Sequence, residues 1–286
     1  MSGIWTDGRE LATGETQGSE IPRDFITWTS VPELKLSLSS TGLTDVGQRR
    51  KHNEDAYLID DALGLWVVAD GMGGHAAGEV ASQEATDTVF GMVSRGKKTL
   101  ELDRTFSEDK ARAAQRLLEG AVQAATYMVY AMAELDANKA GMGTTISAMM
   151  SVGDFAVTAQ VGDSRIYRIR GNEVDQLTED HTLIAWQLKQ GLITEDEAKR
   201  SKHRNVITRA VGNRDYVQVD TKIVELEAGD KYLLCSDGLH GYLRTDEIAA
   251  LAAPGGTEAV RAFIDLANGR GGKDNITAVL VEVRPA

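Results

Sequence analysis

The sequence has little of several residue types, and each shortage narrows what the protein can be. It holds one cysteine in 286 residues, which excludes an internal disulfide, fits a reducing compartment and predicts a cytoplasmic protein. No apolar stretch approaches the roughly 20 residues of a membrane span, and the first residues lack the basic-then-apolar pattern of a signal peptide. Basic residues are also scarce, with 31 Lys+Arg against 43 Asp+Glu. The net charge of −12 repels polyanions, so we expect neither nucleic acid nor a membrane as a partner.

Strand and helix patterns follow a poorly patterned start. Residues 1–32 are polar and rich in Gly and Thr, which predicts a partly disordered N-terminal extension ahead of one domain at 33–286. The stretch "LKLSLSS" alternates apolar and polar residues as a half-buried strand does, and "LGLWVVAD" is a second strand pattern. Apolar residues then recur at helical spacing in "GEVASQEATDTVFGMVSR", which predicts a helix that begins near Glu79.

Turn and cap signals divide the second half of the chain. Gly171–Asn172 predicts a hairpin turn, and Thr194 with Glu197 predicts a capping box. Thr245 and Thr257 are the expected N-caps of two later helices. The order is strands, two helices, many strands with a helical insert, a short helical stretch and a last strand. Because this is not a βαβ alternation, it predicts an α+β domain of antiparallel sheets with helices on the outside.

Acidic residues stand where predicted strands begin or end. Each lies beside Gly, Ser or Asn and adjoins an apolar run, and they are Asp70, Asp163, Asp237 and Asp274, with the pair Glu54–Asp55 before another strand. One such residue alone is typical of a turn. Together they can converge at one sheet edge, where they would raise each other's pKa unless cations are bound. Oxygen ligands without a Cys or His set favour Mg²⁺ or Mn²⁺, and two such ions can activate water for attack on phosphorus.

Seven stretches together carry a family resemblance. In chain order they are "TDVGQRRKHNEDAY", "VVADGMGGHAAGE", "GMGTTISA", "VGDSRIYR", "LTEDHTL", "LLCSDGL" and "KDNITAVLV". The sequence resembles the metal-dependent protein phosphatases, the PPM or type-2C family, in their bacterial form, over roughly residues 34–283. The resemblance implies two central antiparallel sheets packed as a sandwich and flanked by helices, with a metal site at one edge.

The resemblance also implies a set of metal ligands. Asp70 matches the residue that bridges two ions, and the carbonyl of Gly71 matches a ligand of the second ion. Glu54 matches another ligand of that second ion, while Asp237 and Asp274 match ligands of the first. The implied cofactors are two or three Mn²⁺ or Mg²⁺ ions.

Further positions match residues around those ions. Asp163 resembles a ligand of the third ion of bacterial members, shared with Asp237. Arg50 matches the arginine that grips the substrate phosphate. Asp55 and Asn275 match residues that hold waters or ligands in place.

The sequence departs from the animal members of the family after the first Asp-Gly. Those members carry a histidine there, a proposed general acid, whereas this chain has Met72. His75, just past the glycines, is the candidate acid, with a turn-capping histidine or a metal-bound water as alternatives. The helical insert at 182–215 matches the flap beside the active site, the most variable part of the family.

The function implied is hydrolysis of phosphoserine and phosphothreonine in proteins by a metal-bridging hydroxide, without a covalent enzyme intermediate. The expected partners are phosphorylated proteins, a Ser/Thr kinase or its targets, and the expected state is a monomer. Two narrower hypotheses are an enzyme dedicated to a phosphoserine anti-sigma-factor antagonist and an inactive binding module on the same fold. The second is weakened because the matching carboxylates and Arg50 are all present.

Two other site patterns are disfavoured. Residues 71–76, "GMGGHA", resemble a dinucleotide-binding turn, but no second parallel strand ending in an acid follows. Cys235 is not followed by the arginine that a cysteine-dependent phosphatase needs, so we interpret it as a buried strand residue. His52 and His181 lie near the matching stretches and are interpreted as structural.

Overall fold

The computed structural model describes residues 36–73, 77–100, 108–203 and 206–286. The predicted extension at 1–32 and the candidate acid His75 lie outside these described residues. The strands are β1 (Leu36–Asp45), β2 (Asp55–Asp60), β3 (Leu65–Met72), β4 (Gly143–Thr144), β5 (Ile146–Val152), β6 (Phe155–Val161), β7 (Arg165–Arg170), β8 (Glu173–Gln176), β9 (Asp220–Glu225), β10 (Lys231–Cys235) and β11 (Ile276–Pro285). The helices are α1 (Ala77–Thr99), α2 (Glu108–Leu135), α3 (Leu183–Lys189), α4 (Glu195–Arg200), α5 (Asp237–His240), α6 (Thr245–Ala252) and α7 (Gly256–Gly269), with a 3₁₀ turn at Ala137–Lys139.

The strands form two sheets in which neighbouring strands are antiparallel, as the sequence predicted. One sheet has the order β1-β11-β10-β7-β8. The other has the order β2-β3-β5-β6-β9, with β4 paired to β3 at its end. Both belong to the compact unit Lys35–Ala286. The α+β class is therefore confirmed.

Side-chain alternation along the strands builds the layers. In β3, Leu65, Val67 and Ala69 pack in one cluster with the apolar faces of α1 and α2. Trp66 and Val68, one residue out of phase, pack in a second cluster with the inner residues of β10 and β11. The outer face of the sheet that contains β10 and β11 packs on α6 and α7. Period-two alternation thus yields helix, sheet, sheet and helix layers, since the central strands β3, β5, β6, β10 and β11 bury both of their faces.

Helix starts agree with the sequence in part. Helix α1 begins at Ala77, two residues before the expected Glu79, and the predicted capping box of Thr194 at α4 is confirmed. The expected caps at Thr245 and Thr257 are wrong. Helix α6 already includes Thr245, because the amide of Arg244 donates to the Glu247 carboxylate at 2.9 Å and closes the turn one residue earlier. Helix α7 likewise begins at residue 256, before Thr257. Across the described ranges, no helix combines the length and the apolar character needed to cross a membrane.

Strand ends gather at one edge of the two sheets. The start of β2 pairs with the end of β3, Asp55 opposite Asp70. The end of β10 pairs with the start of β11, Cys235 opposite Ala278, and with the start of β7, Cys235 opposite Arg165. In an antiparallel pair the start of one strand lies beside the end of its neighbour. The loops that follow or precede these strands therefore come together at one edge.

Candidate metal centre

The loops at this edge bring the predicted acids together. Asp70 ends β3 beside Asp55, and Asp237 follows the strand β10 and opens α5. Asp274 lies two residues before β11, and Asp163 lies in the turn between β6 and β7. Asp55 and Asp163 are buried, and the other three are half-buried. Five carboxyl groups that are far apart in the sequence therefore share one side of the molecule.

The charges of these acids act on one another. Burial raises the pKa of Asp70 well above its usual range, and the neighbouring charges of Asp55, Asp237, Asp163 and Asp274 raise it further. Burial raises the pKa of Asp237, and the charge of Asp274 raises it further. A hydrogen bond with Asp70 partly offsets this rise in the pKa. Ionised carboxylates at such separations repel each other, so this edge is a place where bound positive charge lowers the free energy.

Asp55 links the two sheets beneath the cluster. Its Oδ2 accepts hydrogen bonds from Ser236 Oγ at 2.8 Å and from Thr277 Oγ1 at 2.6 Å. Its Oδ1 is buried and has no hydrogen-bond partner among the residues that the structure describes. Burial raises the pKa of Asp55 to about 7 despite those two hydrogen bonds. A buried carboxylate oxygen without a donor is costly, and water or a cation can satisfy it.

Arg50 lies among the acids at the rim of the site. Its Nε is 2.8 Å from Asp274 Oδ1 and its Nη2 is 2.8 Å from Asp274 Oδ2, so the guanidinium engages both carboxylate oxygens. Its Nη1 is 3.9 Å from Glu54 Oε2. The hydrogen bond with Asp274 raises the pKa of Arg50, although burial opposes it. Nearly half of the Arg50 side chain, 48%, stays exposed, so an anion can reach it from solvent.

Glu54 is held by the end of β3 and the start of α1. Its carbonyl accepts from the amide of Gly71 at 3.0 Å and from Ser82 Oγ at 2.6 Å. A Cβ on Gly78 would lie 2.6 Å from Glu54 Oε1, so the first turn of α1 passes directly against this carboxylate. The glycines that follow Asp70 therefore permit a close approach of three backbone segments.

Gly71→Ala tests this packing. An added Cβ would lie 2.2 Å from the carbonyl oxygen of Gly78 and 2.4 Å from that of Glu54, and backbone atoms cannot turn aside. We expect a loss of about 3 kcal/mol in the free energy of unfolding, at the upper end of overpacking effects. Gly120→Ala in α2 is the matched control, since nothing lies within 4 Å of its added Cβ. It should raise stability by roughly 0.5–1 kcal/mol. Denaturant titration measures both, and equal small shifts would contradict the close approach.

The turn that carries Asp163 is held by hydrogen bonds to its backbone. Gln160 Nε2 donates to the carbonyls of Gly162 at 3.1 Å and Ser164 at 2.6 Å. His240 Nε2 lies 2.8 Å from the carbonyl oxygen of Asp163. Burial lowers the pKa of His240 to about 4, so the ring is neutral at pH 7 and must carry its proton on Nε2 to donate. Burial also raises the pKa of Asp163 to about 7, with the charges of Asp237 and Asp180 adding to the effect.

His181 connects this turn to the insert at 182–215. Its Nδ1 accepts from the amide of Gly162 at 3.1 Å, and its own amide donates to the Gly162 carbonyl at 2.9 Å. With Nδ1 an acceptor, Nε2 carries the proton and faces Asp220 Oδ2 at 3.0 Å. The Thr208 amide donates to the carbonyl of His181 at 2.8 Å, and Thr182 pairs with Ile207. The prediction that His181 is structural is consistent with these partners, which its sequence neighbours did not reveal.

The donor set fits a hard divalent cation. Among the described residues, the candidate ligands at this edge are carboxylate and carbonyl oxygens, which hard cations prefer, whereas softer metals prefer Cys and His. Within the described ranges, no three Asp, Glu, His or Cys side chains are yet grouped around one point as metal ligands. Two of the acids face protein partners instead, Asp274 facing Arg50 and Asp55 facing Ser236 and Thr277.

The structure therefore brings most of the predicted site residues to one edge. These are Arg50, Glu54, Asp70, Gly71, Asp163, Asp237 and Asp274. Asn275 supports them, since its Oδ1 accepts from the Glu54 amide at 2.9 Å and its Nδ2 donates to the carbonyls of Val46 and His52. His240 is a residue that sequence reasoning missed, because "GLHGY" carries no signal for a partner 77 positions away.

Comparison with known proteins agrees with this arrangement. The family described as Protein phosphatase 2C matches residues 47–280. The serine/threonine phosphatase Stp of Listeria welshimeri is 38% identical over 244 residues, covering 84% of this chain and 93% of that protein. The protein phosphatase PhpP of Streptococcus pneumoniae is 36% identical over 247 residues, covering 84% of this chain and 96% of that protein.

Solved structures give the same picture. The serine/threonine phosphatase PstP/Ppp of Mycobacterium tuberculosis superposes with a TM-score of 0.74 at 34% identity, covering 86% of this chain and 99% of that one. The catalytic domain of PstP in complex with two manganese ions superposes with a TM-score of 0.75 at 33% identity, covering 87% of this chain and 99% of that one.

Proposed function

The chain belongs to the protein phosphatase 2C family and is a metal-dependent protein serine/threonine phosphatase, and from this premise we propose how its own residues act on phosphoproteins. The observation that carries the proposal is the group of five carboxyl groups with one exposed arginine beside them, at a single sheet edge. The carboxyl groups place negative charge where a phosphate would enter. An anionic phosphate can bind there only when cations are bound to the carboxylates. An inactive binding module is not favoured.

We assign the metal ligands as follows. Asp70, at the centre of the acidic group, would bridge two divalent ions, with Glu54 and the carbonyl of Gly71 on one side and Asp237 and Asp274 on the other. When bound, these ions supply the positive charge that polarises water and the phosphoryl oxygens. Asp55 holds the edge in register, since its Oδ2 joins Ser236 and Thr277.

A third ion is proposed beside the turn between β6 and β7. Asp163 would bind it together with Asp237, whose charge is one cause of the raised pKa of Asp163. His240 fixes the backbone of Asp163 from behind. The third ion would therefore be held by a rigid turn and by one carboxylate that is shared with the central group.

Arg50 is the proposed phosphate clamp. Its guanidinium already holds two oxygens of Asp274 in a bidentate arrangement, which is the geometry that also suits two phosphoryl oxygens. Because the side chain is half exposed, it can exchange Asp274 for an incoming phosphate when cations occupy the acids. Arg50 would then orient the phosphorus atom towards the centre of the carboxylate group.

Arg50→Ala should raise KM for a phosphothreonine peptide about tenfold or more, the loss of one charge-assisted bidentate contact. Arg50→Lys keeps the positive charge but loses the planar guanidinium that can bind two oxygens at once. Its KM should therefore fall between those of the parent and the alanine variant. Steady-state phosphate release in Mn²⁺ measures both. Calorimetric Mn²⁺ titration should show the metal sites intact in either variant. An unchanged KM in Arg50→Ala would exclude the clamp.

The experiment that tests the function itself is phosphate release from phosphothreonine and phosphoserine peptides in Mn²⁺ and in Mg²⁺. We expect release from both peptides. We further propose that the natural substrates include a Ser/Thr kinase or its targets, that the protein is a cytoplasmic monomer, and that residues 33–286 with the flap at 182–215 form the catalytic domain. Absence of release from either peptide, with bound Mn²⁺ confirmed by calorimetry, would overturn the proposal.

A further inference from the structure

Three exposed cations lie in the segment of Arg50 and in the segment beside it. Arg49 and Lys51 are its chain neighbours, and both are exposed. Lys273 is exposed next to Asp274, the residue that Arg50 binds. The amide of Gln48 donates to the carbonyl of residue 272 at 2.7 Å, so the two segments lie side by side. We call Arg49, Lys51 and Lys273 the basic rim.

The three cations of the basic rim make no ion pair among the described residues, and they lie in two short segments without acids. Segments 46–53 and 270–273 contain no Asp or Glu, although the whole chain carries a net charge of −12. Arg270, the other cation of the second segment, is bound to Glu247. Among the described residues, the three cations of the rim make no ion pair, whereas many other arginines of this chain do. A cluster of free cations in an acidic protein indicates an anionic partner.

The rim lies within reach of a substrate peptide. Consecutive Cα atoms are about 3.8 Å apart, so Arg49 and Lys51 start next to the proposed phosphate clamp. An extended peptide advances roughly 3.3–3.6 Å per residue, and Arg and Lys side chains are long. Side chains up to about three residues from the phosphorylated position can therefore meet the rim.

We propose that the basic rim binds a second anionic side chain of the same peptide, a carboxylate or another phosphorylated residue, within about three positions of the phosphoresidue being hydrolysed. This inference rests on the proposed function of the acidic edge and specifies its substrate class. The rim selects acidic or multiply phosphorylated segments. The net charge of −12 disfavours a free polyanion such as nucleic acid as the partner of the rim.

The expected size of the effect is moderate. Exposed ion pairs contribute about two- to fivefold each in binding, and salt screens them over roughly 10 Å at 0.1 M. With three cations engaged, we expect about a tenfold preference in kcat/KM at low salt. The preference should shrink as salt is raised, because the contacts are solvent-exposed.

The experiment uses four phosphothreonine peptides that differ only at the position two residues away. That position holds alanine, lysine, glutamate or a non-hydrolysable phosphonate analogue of phosphothreonine. We expect kcat/KM to rise from lysine through alanine and glutamate to the phosphonate. The glutamate and phosphonate arms separate a carboxylate preference from a phosphate preference. Both outcomes support an anion-binding rim, and equal values for all four peptides in the parent enzyme would overturn it.

Charge variants assign the preference to the rim. In Arg49→Glu/Lys51→Glu/Lys273→Glu, the ratio of the glutamate peptide to the alanine peptide should fall to about one or below. A control with the same net charge uses three exposed cations elsewhere, Arg116→Glu/Lys222→Glu/Arg261→Glu, and should keep the parent ratio. An equal loss in the control would mean that bulk charge, not the rim, sets the preference.

Two further readouts keep the outcomes separate. If the glutamate triple variant melts much earlier than the parent, the neutral triple variant with glutamine at the same three positions replaces it, with the same expected loss of ratio. Hydrolysis of every peptide at the same kcat/KM would support the phosphatase function and contradict the proposed role of the rim. Hydrolysis of none of the peptides in Mn²⁺ would contradict the phosphatase function on which the proposed role of the rim depends.

Discussion

Asp70→Asn should lower the turnover of phosphate release by about 10³-fold or more, which is ~4 kcal/mol of barrier height. Asp70 lies at the centre of the acidic group, where four other acids act on its pKa. Asparagine keeps the shape but replaces one anionic oxygen with an amide nitrogen that cannot bind a cation. Both proposed central ions lose a ligand at once, so the loss should exceed that of any variant at the rim of the site.

Stability measurements distinguish this effect from misfolding. The Asp70 amide donates to Thr145 Oγ1 at 2.9 Å, and its carbonyl accepts from Thr145, so asparagine retains the backbone contacts. Removal of one repelled carboxylate should leave the chelated protein as stable as the parent or more stable. A variant that melts early in chelator would show that Asp70 is needed for folding and not only for ion binding.

Asp163→Ala provides the contrast within the same site. Its turn lies between β6 and β7 and is held by His181 and His240, whereas Asp55 and Asp70 lie on the paired strands β2 and β3. Calorimetry with Mn²⁺ should show loss of the tight sites in Asp70→Asn and of only a weak site in Asp163→Ala. If Asp163→Ala also abolishes the tight sites, Asp163 belongs to the central pair.

Removal of divalent metal by a chelator should abolish phosphate release from a phosphothreonine peptide, and Mn²⁺ or Mg²⁺ should restore it. The same treatment should lower the melting temperature, since a ligand at a hundredfold excess over its Kd stabilises the folded state by about 2.7 kcal/mol. For a chain of this size each kcal/mol corresponds to roughly 2–4 °C, so the shift should be about 5–10 °C per tightly bound ion.

Asp70→Asn is also the control for the thermal effect. Its melting temperature should respond much less to chelator than that of the parent protein, because it lacks the tight sites. Full activity of a chelated sample, with metal content below one ion per hundred chains by mass spectrometry, would contradict metal dependence.

Much of the fold could be predicted from local pattern alone. The alternation in "LGLWVVAD" places Trp66 and Val68 between the sheets and Val67 against the helices, as two-residue periodicity requires. Gly171–Asn172 turns β7 into β8 as predicted. These features depend on neighbours in sequence, and the sequence shows those neighbours directly.

The sequence indicated candidate site residues where several aspartates stand at strand ends. It did not indicate the hydrogen-bond partners of these residues, because those partners are distant in the sequence. Nothing near Asp55 announces Ser236, which lies 181 positions away, or Thr277, which lies 222 positions away. The engagement of Asp274 by Arg50 spans 224 positions. Such contacts depend on how two sheets are stacked, and periodicity within one strand carries no information about that stacking. The cap at Thr245 failed because the Arg244 amide donates to Glu247 and closes the start of α6 one residue earlier. At α7, the amide of Gly256, the residue before Thr257, donates to Glu282 Oε2 at 3.0 Å.

The contacts of the insert determine which of its residues can vary between members of such a family. Thr182 pairs with Ile207 within the insert at 182–215, and Val211 pairs with Thr144 of β4 outside it. His181 ties its first residue to the turn of Asp163 through Gly162. Because these contacts involve residues outside 183–203, we expect substitutions within 183–203 to leave the acidic edge in place. Such substitutions would change the surface of the insert while the proposed catalytic groups keep their positions.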